Sequence, residues 1–361
     1  MVRPLNDGNP AHEGDVREVY VATGLRSAVR RRYPSGMAAD PVTSLSRFIG
    51  WLEDNPVPAG KVAVYRGLAD EAFDLRPSVF RKTADGDELR ARREHLLLRE
   101  LIAAHPAEFA GDESALETLA RMQHYSLPTR LLDVTWNPLA ALWFAAEMNS
   151  KVVKTGKTTK SGKPETRTVR TTGQVVRLLL DDRDVRFFDS DRISLITNLA
   201  RCTHEQKEEL RKLVAAKPTT EKQLKDFNDH RTVRRLLHFV RSEKPAFEAE
   251  IEPEHLDGIY LVKPKLNNRR ILAQEGAFLA FGLSSEVPKA AGPVFDVNTL
   301  AVTAASKADI RRQLNGLSIN ERTLYPDIER AARYLTDELQ TADLLARGVP
   351  STPTPSSRKR S

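Results

Sequence analysis

The chain has 361 residues, 40% of them hydrophobic and 29% charged, with a formal charge of +7 and one cysteine, Cys202. That length holds one large domain with insertions or two ordinary ones, and the positive excess makes nucleic acid the first class of macromolecular partner to consider. A single thiol excludes an internal disulfide, no apolar run is long enough to span a bilayer, and residues 1–16 lack a signal-peptide core, so a cytoplasmic protein without a membrane partner is expected.

In chain order, residues 1–42 read as a flexible leader with a short basic cluster at Arg30, Arg31 and Arg32. Leu45, Phe48, Ile49 and Leu52 fall at helical spacing, and Pro56 and Pro58 stop that helix. Residues 62–67 form a β-branched and aromatic run, a strand with Arg66 at its C-terminal lip and Gly67 allowing close approach of backbone or ligand. Residues 88–104 predict a charged amphipathic helix with Leu97 and Leu101 facing inward, and Ser114 with Glu117 has the capping-box pattern of the next one.

Residues 122–147 are the centre of the chain. A polar turn carrying Gln123, His124, Arg130, Asp133 and Thr135 leads into Asn137 as helix cap and Pro138 at the first helical position. Residues 139–146 have no polar face, so that helix is expected to be buried. Arg130 and Asp133, three residues apart beside a buried element, read as a structural ion pair, and Trp136 and Trp143 as core filling.

Residues 151–173 carry seven Lys and Arg against one Glu and no apolar periodicity, which reads as a long exposed loop or irregular hairpin before a strand at 174–180. At that density the cations would also track phosphates. Residues 190–245 predict a charged helical insertion packed loosely on the core. Strands follow at 258–262, 277–281 and 298–303, then a short helix capped by Ser306 with Asp309, a last helix over 321–340, and a disordered tail at 346–361. The expected architecture is α+β: a mixed, mainly antiparallel sheet enclosed by helices, forming one domain over 43–345 with insertions at about 150–173 and 190–245.

A charged side chain at a strand end, followed by glycine, has little packing value, so Arg66 points to a ligand. Eight histidines and one cysteine offer no zinc spacing, and there is no phosphate-binding glycine loop. Asp181, Asp182 and Asp184 after a strand, with Lys263 or Lys265, would suit a metal-dependent nuclease, although a polar strand exit is the usual explanation of such a cluster and no second acidic motif has matching spacing.

Tyr65-Arg66-Gly67, residues 122–133 with Asn137-Pro138, residues 269–278, and Leu324-Tyr325-Pro326-Asp327 together resemble the FRG domain, named for its Phe/Tyr-Arg-Gly motif. The resemblance spans roughly 45–335 and implies bacterial toxins or anti-phage defence proteins, with a possible antitoxin partner. It also implies an ADP-ribosyltransferase-like core using NAD as substrate. In that reading Arg66, with Gly67, holds the pyrophosphate; Thr135 fills a Ser/Thr position; and Tyr125 and His124 line the nicotinamide or acceptor side. Glu275 or Gln274 supplies the catalytic polar group, with His124 as base if Gln274 takes that place. The acceptor would be a macromolecule, nucleic acid before protein. The alternatives are a non-catalytic nucleic-acid or nucleotide sensor, and the metal-dependent nuclease. His124 and Glu275 also have plain structural readings, as a hydrogen-bonded corner and a solvated turn residue.

Overall fold

A computed structural model describes residues 40–83, 85–158, 164–285, 287, 295–328, 330, 332, 334–336 and 339. Most of the expected leader and all of the expected tail at 346–361 lie outside the described residues. The runs rich in Val, Leu and Ala become nine strands among the described residues: β1 (Lys61–Leu68), β2 (Leu131–Thr135), β3 (Ser150–Thr158), β4 (Pro164–Arg170), β5 (Gly173–Asp181), β6 (Arg186–Phe187), β7 (Ile259–Lys263), β8 (Gly276–Phe281) and β9 (Asp296–Val302). The helices are α1 (Leu45–Asp54), α2 (Leu89–Ala104), α3 (Pro106–Phe109), α4 (Ala115–His124), α5 (Pro138–Ala145), α6 (Asp191–Asn198) and α7 (His204–Ala215). They continue with α8 (Glu221–Asp229), α9 (Arg231–Arg241), α10 (Pro253–Asp257), α11 (Arg269–Ala273), α12 (Lys307–Gly316) and α13 (Glu321–Leu324).

Seven strands form one sheet in the order β6-β7-β8-β2-β1-β5-β9, antiparallel throughout except for the β6–β7 pair, so the α+β expectation holds. Alternation along the strands sorts the core into layers. Val64, Leu132, Val134, Leu178, Leu279 and Phe281 turn to one face, where Val79 and Phe80 cover them. The other face is divided. Over β7 and β8, Val262, Phe278 and Ala280 join α4, α6 and α9 in one cluster, while over β1, β5 and β9, Tyr65, Val175 and Leu300 join α5 and α12 in another. β2 lies beneath the seam between these two helical clusters, and Asp133, in the middle of that strand, is exposed there.

β2 is itself a correction, since the sequence reading made it part of a polar turn. A central strand flanked on both faces shows no clean alternation, and Leu131-Leu132 with Val134 was obscured by the polar residues around it. The α5 reading holds. Asn137 Oδ1 accepts from the amides of Leu139 and Ala140, Pro138 sits at the first position, and five of the helix's eight residues are buried. α5 packs so close to the sheet that a Cβ on Gly67 would stand 1.9 Å from the Ala141 carbonyl oxygen, and one on Gly173 2.0 Å from that of Ala145. Gly67 thus admits backbone, not ligand.

Three further expectations change. The basic stretch is an antiparallel ribbon, β3–β4, with a register shift between Lys154 and Thr158. The helical insertion is not loosely packed: Ile193, Ile196, Leu199, Leu210, Leu236 and Val240 are all buried and form the centre of the largest apolar cluster. In α2 it is Leu98 and Glu94 that are buried, one position on from the Leu97 stripe, because a buried ionic cluster sets the helix's rotation.

Candidate functional site

That ionic cluster corrects the Arg130 reading. Arg130 is 1% exposed and pairs with Glu94 on α2, not with Asp133, donating from Nε at 2.9 Å and Nη2 at 2.5 Å, while Nη1 takes the carbonyls of Phe281 and Gly282. Lys207 Nζ donates to the same carboxylate at 2.6 Å. Burial alone would raise the Glu94 pKa, but the two cations hold it down at about 2. With two cations on one carboxylate, Lys207 is the surplus charge, and burial lowers its pKa. Cys202 beside them is pushed up to about 11 by burial, so it is no nucleophile. Arg130 is therefore structural, as expected, but with a different partner.

The other site residues gather around β2, with Arg66 entering the split between β1 and β2 from the Val64 and Leu68 face. Tyr65↔Thr135 is the one register pair joining β1 to β2 among the described residues. Just past it the Arg66 guanidinium donates from Nη1 to the main-chain oxygen of Asp133, where the ladder has stopped. Its Nε is buried and meets no acceptor. Burial lowers the Arg66 pKa and Arg81 lowers it further, with Asp133 and Tyr325 opposing. Arg81 is lowered by burial and by Arg90, so two guanidinium groups near Asp133 stand short of compensating charge.

Thr135 is buried. Its hydroxyl donates to the Gln274 carbonyl at 2.6 Å and accepts from the Asn137 amide at 2.9 Å, which leaves it committed to the turn. Gln274 Nε2 donates to the Leu324 carbonyl at 2.9 Å, tying α11 to α13. Glu275 is exposed and has φ +46°, at the position after the helix cap that usually goes to glycine. Asn137 Nδ2 donates to its Oε1 at 3.1 Å, and its carbonyl accepts from the Trp136 amide at 2.9 Å. Two contacts thus hold a carboxylate in a conformation that costs about 1 kcal/mol.

His124 ends α4 with Nδ1 buried and unpaired and with Nε2 3.8 Å from Asp327. The Tyr125 ring stands edge-on to that of His124 at 5.2 Å, but it is 54% exposed and its hydroxyl is 3.1 Å from Glu108 on α3. The structure therefore joins Gln274 and His124 to one segment, Leu324–Asp327, sets Arg66 within electrostatic reach of Tyr325, holds Thr135 and Glu275 beside Gln274 and Asn137, and leaves Gly67 under α5 and Tyr125 facing α3.

That segment breaks the helix expected over 321–340. Pro326 forces Tyr325 out of helical geometry, to φ −128° and ψ 86°, and the described residues from Ile328 onward resume the helix. The Tyr325 ring is buried, with Arg330 3.7 Å and Arg270 4.8 Å from its centroid and Trp143 and Phe144 edge-on at 6.1 Å. Arg311 covers Trp143 at 4.0 Å, and burial lowers its pKa. Neither Arg270 nor Arg311 makes an ion pair among the described residues. The sequence reading missed Tyr325, Arg270, Arg311 and Arg330. Arg270 lay inside the 269–278 stretch that carries the family resemblance, and Tyr325 inside the Leu-Tyr-Pro-Asp string, in which a proline after a buried aromatic marks a fixed bend.

A guanidinium at a split between strands, an aromatic and cationic wall around Tyr325, and the exposed carboxylate of Glu275 are the features that surround β2. Residues 61–154 match the model of the FRG domain. Residues 61–154 thus carry an FRG domain. The matched segment runs from β1 into β3 and includes Tyr65-Arg66-Gly67, residues 122–133 and α5, whereas Gln274, Glu275 and the Leu324–Asp327 segment lie beyond it. No curated protein and no solved structure matches the chain.

Around the FRG domain, no helix among the described residues is long and apolar enough to cross a membrane. The Asp181 and Asp184 carboxylates face Arg183 at 3.8 Å and Arg186 at 3.9 Å. The group of described residues with metal-ligand spacing is Glu252, Glu254 and His255 instead, with donor atoms within 4.8 Å of one another. They belong to α10 and its cap, away from the seam, and His255 is already paired with Glu252 at 2.8 Å.

Proposed function

We propose that this FRG-domain protein binds NAD around β2 and transfers its ADP-ribosyl group to a macromolecular acceptor. The observation that carries the reading is the register across three strands. Tyr65, Thr135 and Gly276 stand side by side on β1, β2 and β8, so Arg66 and Glu275, each one residue away, flank β2 from opposite sides. Two strand spacings and two residues of strand rise separate their Cα atoms, ~12 Å, a span suited to a pyrophosphate at one end and the nicotinamide ribose at the other.

In this mechanism Arg66, with its unmet Nε, takes the pyrophosphate, and Arg270 and Arg330 supply further positive charge beside Tyr325. The bond between ribose C1′ and the nicotinamide nitrogen breaks, and its electron pair leaves with neutral nicotinamide. Glu275 holds the ribose hydroxyls and stabilises the positive charge that develops on the sugar. An acceptor oxygen or nitrogen bonds to C1′, and His124, set on Asp327, takes its proton. Gln274 acts by positioning, because its amide is committed to Leu324. This supports giving the carboxylate role to Glu275.

The test is incubation of the purified chain with NAD and mixed protein and nucleic-acid acceptors. Wild type should release nicotinamide and add mass to an acceptor, while Glu275→Gln should still bind NAD and release none. NAD left intact by the wild type, or full activity in Glu275→Gln, would defeat the proposal.

A further inference from the structure

The β3–β4 ribbon is not used by the NAD site. It forms a separate two-stranded sheet, paired from Ser150↔Arg170 to Thr158↔Pro164, between the buried helix α5 and strand β5. Alternation divides its side chains. Lys151 and Arg167 stand on one face, since Lys151 pairs with Val169 and Val153 with Arg167; Lys154 and Arg170 stand on the other. All four are exposed, and none makes an ion pair among the described residues. Glu165 is the one carboxylate of the two strands, and it accepts from the Thr155 hydroxyl at 3.0 Å.

We propose that this ribbon grips the sugar–phosphate backbone of nucleic acid without regard to sequence. Unpaired cations on both faces of a narrow ribbon exclude stacking against a second copy, where like charges would meet. The same arrangement disfavours a lipid surface, which needs one apolar face, and among the described residues Val152 is the only large exposed apolar side chain of the ribbon. A two-stranded ribbon fits the width of a duplex groove, and a composition of Lys, Arg and Thr without Asn or Gln contacts phosphates rather than base edges. The proposal stands whether or not NAD is cleaved at Arg66.

The test is fluorescence anisotropy of the full chain with a random-sequence DNA duplex across 50–200 mM salt. It compares wild type with the variant carrying Lys151→Gln, Lys154→Gln, Arg167→Gln and Arg170→Gln together. These positions are exposed, so the melting temperature of the variant should match wild type. Wild type should bind with a steep salt dependence; the variant should bind at least tenfold more weakly, with a log–log slope shallower by about 3.6, as expected for four lost phosphate contacts on duplex DNA. A variant with unchanged affinity and slope would overturn the proposal, as would wild type that ignores the duplex but binds phosphatidylserine vesicles.

Discussion

Arg66 gives its Nη1 hydrogen bond to the main-chain oxygen of Asp133 and not to the Asp133 carboxylate, which stays exposed over the seam. The guanidinium is therefore anchored without being neutralised, and its Nε is left buried with no acceptor. An orphaned charged donor inside a fold is costly unless something else completes it. Arg66→Lys keeps the charge and loses the planar fork, so NAD affinity should fall at least tenfold while the melting temperature changes by only a few degrees. Calorimetry and thermal unfolding on the same sample separate the two effects. Unaltered affinity would remove Arg66 from the site.

Glu275 separates function from stability in the opposite sense. Its φ of +46° is easy for glycine and strained for glutamate. Glu275→Gly should gain up to about 1 kcal/mol in chemical denaturation and lose nicotinamide release. A variant that keeps full activity would make Glu275 an ordinary turn residue.

Gly67→Ala should damage the fold. The new methyl would sit 1.9 Å from the Ala141 oxygen and 2.6 Å from the Ala145 nitrogen, both backbone atoms of α5 that cannot rotate away. A loss of about 3 kcal/mol or failure to express as soluble protein is expected, since overpacking against backbone costs more than against side chains. A well-folded Gly67→Ala protein would contradict the close helix–strand contact.

Glu94 makes acid stability predictable. Its carboxyl is lowered from 4.5 to about 2 in the folded chain, so the stabilisation is fully present above pH 4.5 and is lost as pH falls toward 2. The difference corresponds to about 3 kcal/mol. Wild-type stability should drop across that window. Glu94→Gln should be less stable at neutral pH by about 3–5 kcal/mol, because it leaves Arg130 and Lys207 buried without a counter-charge, and should lack this contribution to the acid transition. Parallel acid limbs for the two proteins would show that Glu94 is not the titrating group.

The elements legible in the sequence were those whose cues are local. Asn137-Pro138 followed by an all-apolar run marked α5, and the β-branched runs marked β1, β5, β7, β8 and β9 within a residue or two. Pairings between distant segments were not legible. Nothing near Arg130 names Glu94, thirty-six residues upstream, as its partner, and Asp133 at helical spacing was the nearer candidate. β2 was hidden because its burial does not alternate: Leu131 and Leu132 are both buried, and so are Val134 and Thr135, with exposed Asp133 between them. Around β2, Arg66 could be singled out by its awkward placement before a glycine, whereas no local cue tied Arg270, Arg311 and Arg330 to one aromatic cluster. Only the fold, by bending the chain at Pro326, turns them toward Tyr325 and Trp143.

The central claim, that Arg66 and the Tyr325 wall form one cleft for NAD, is met most directly by titrating NAD into wild type, Arg66→Lys and Arg270→Gln under identical conditions. Saturable binding to wild type, with each single variant weakened at least tenfold and the double variant losing less than the sum of the two, is the predicted result for two cations on one ligand. Flat heats with wild type, or two variants that bind NAD as tightly as wild type does, would contradict it.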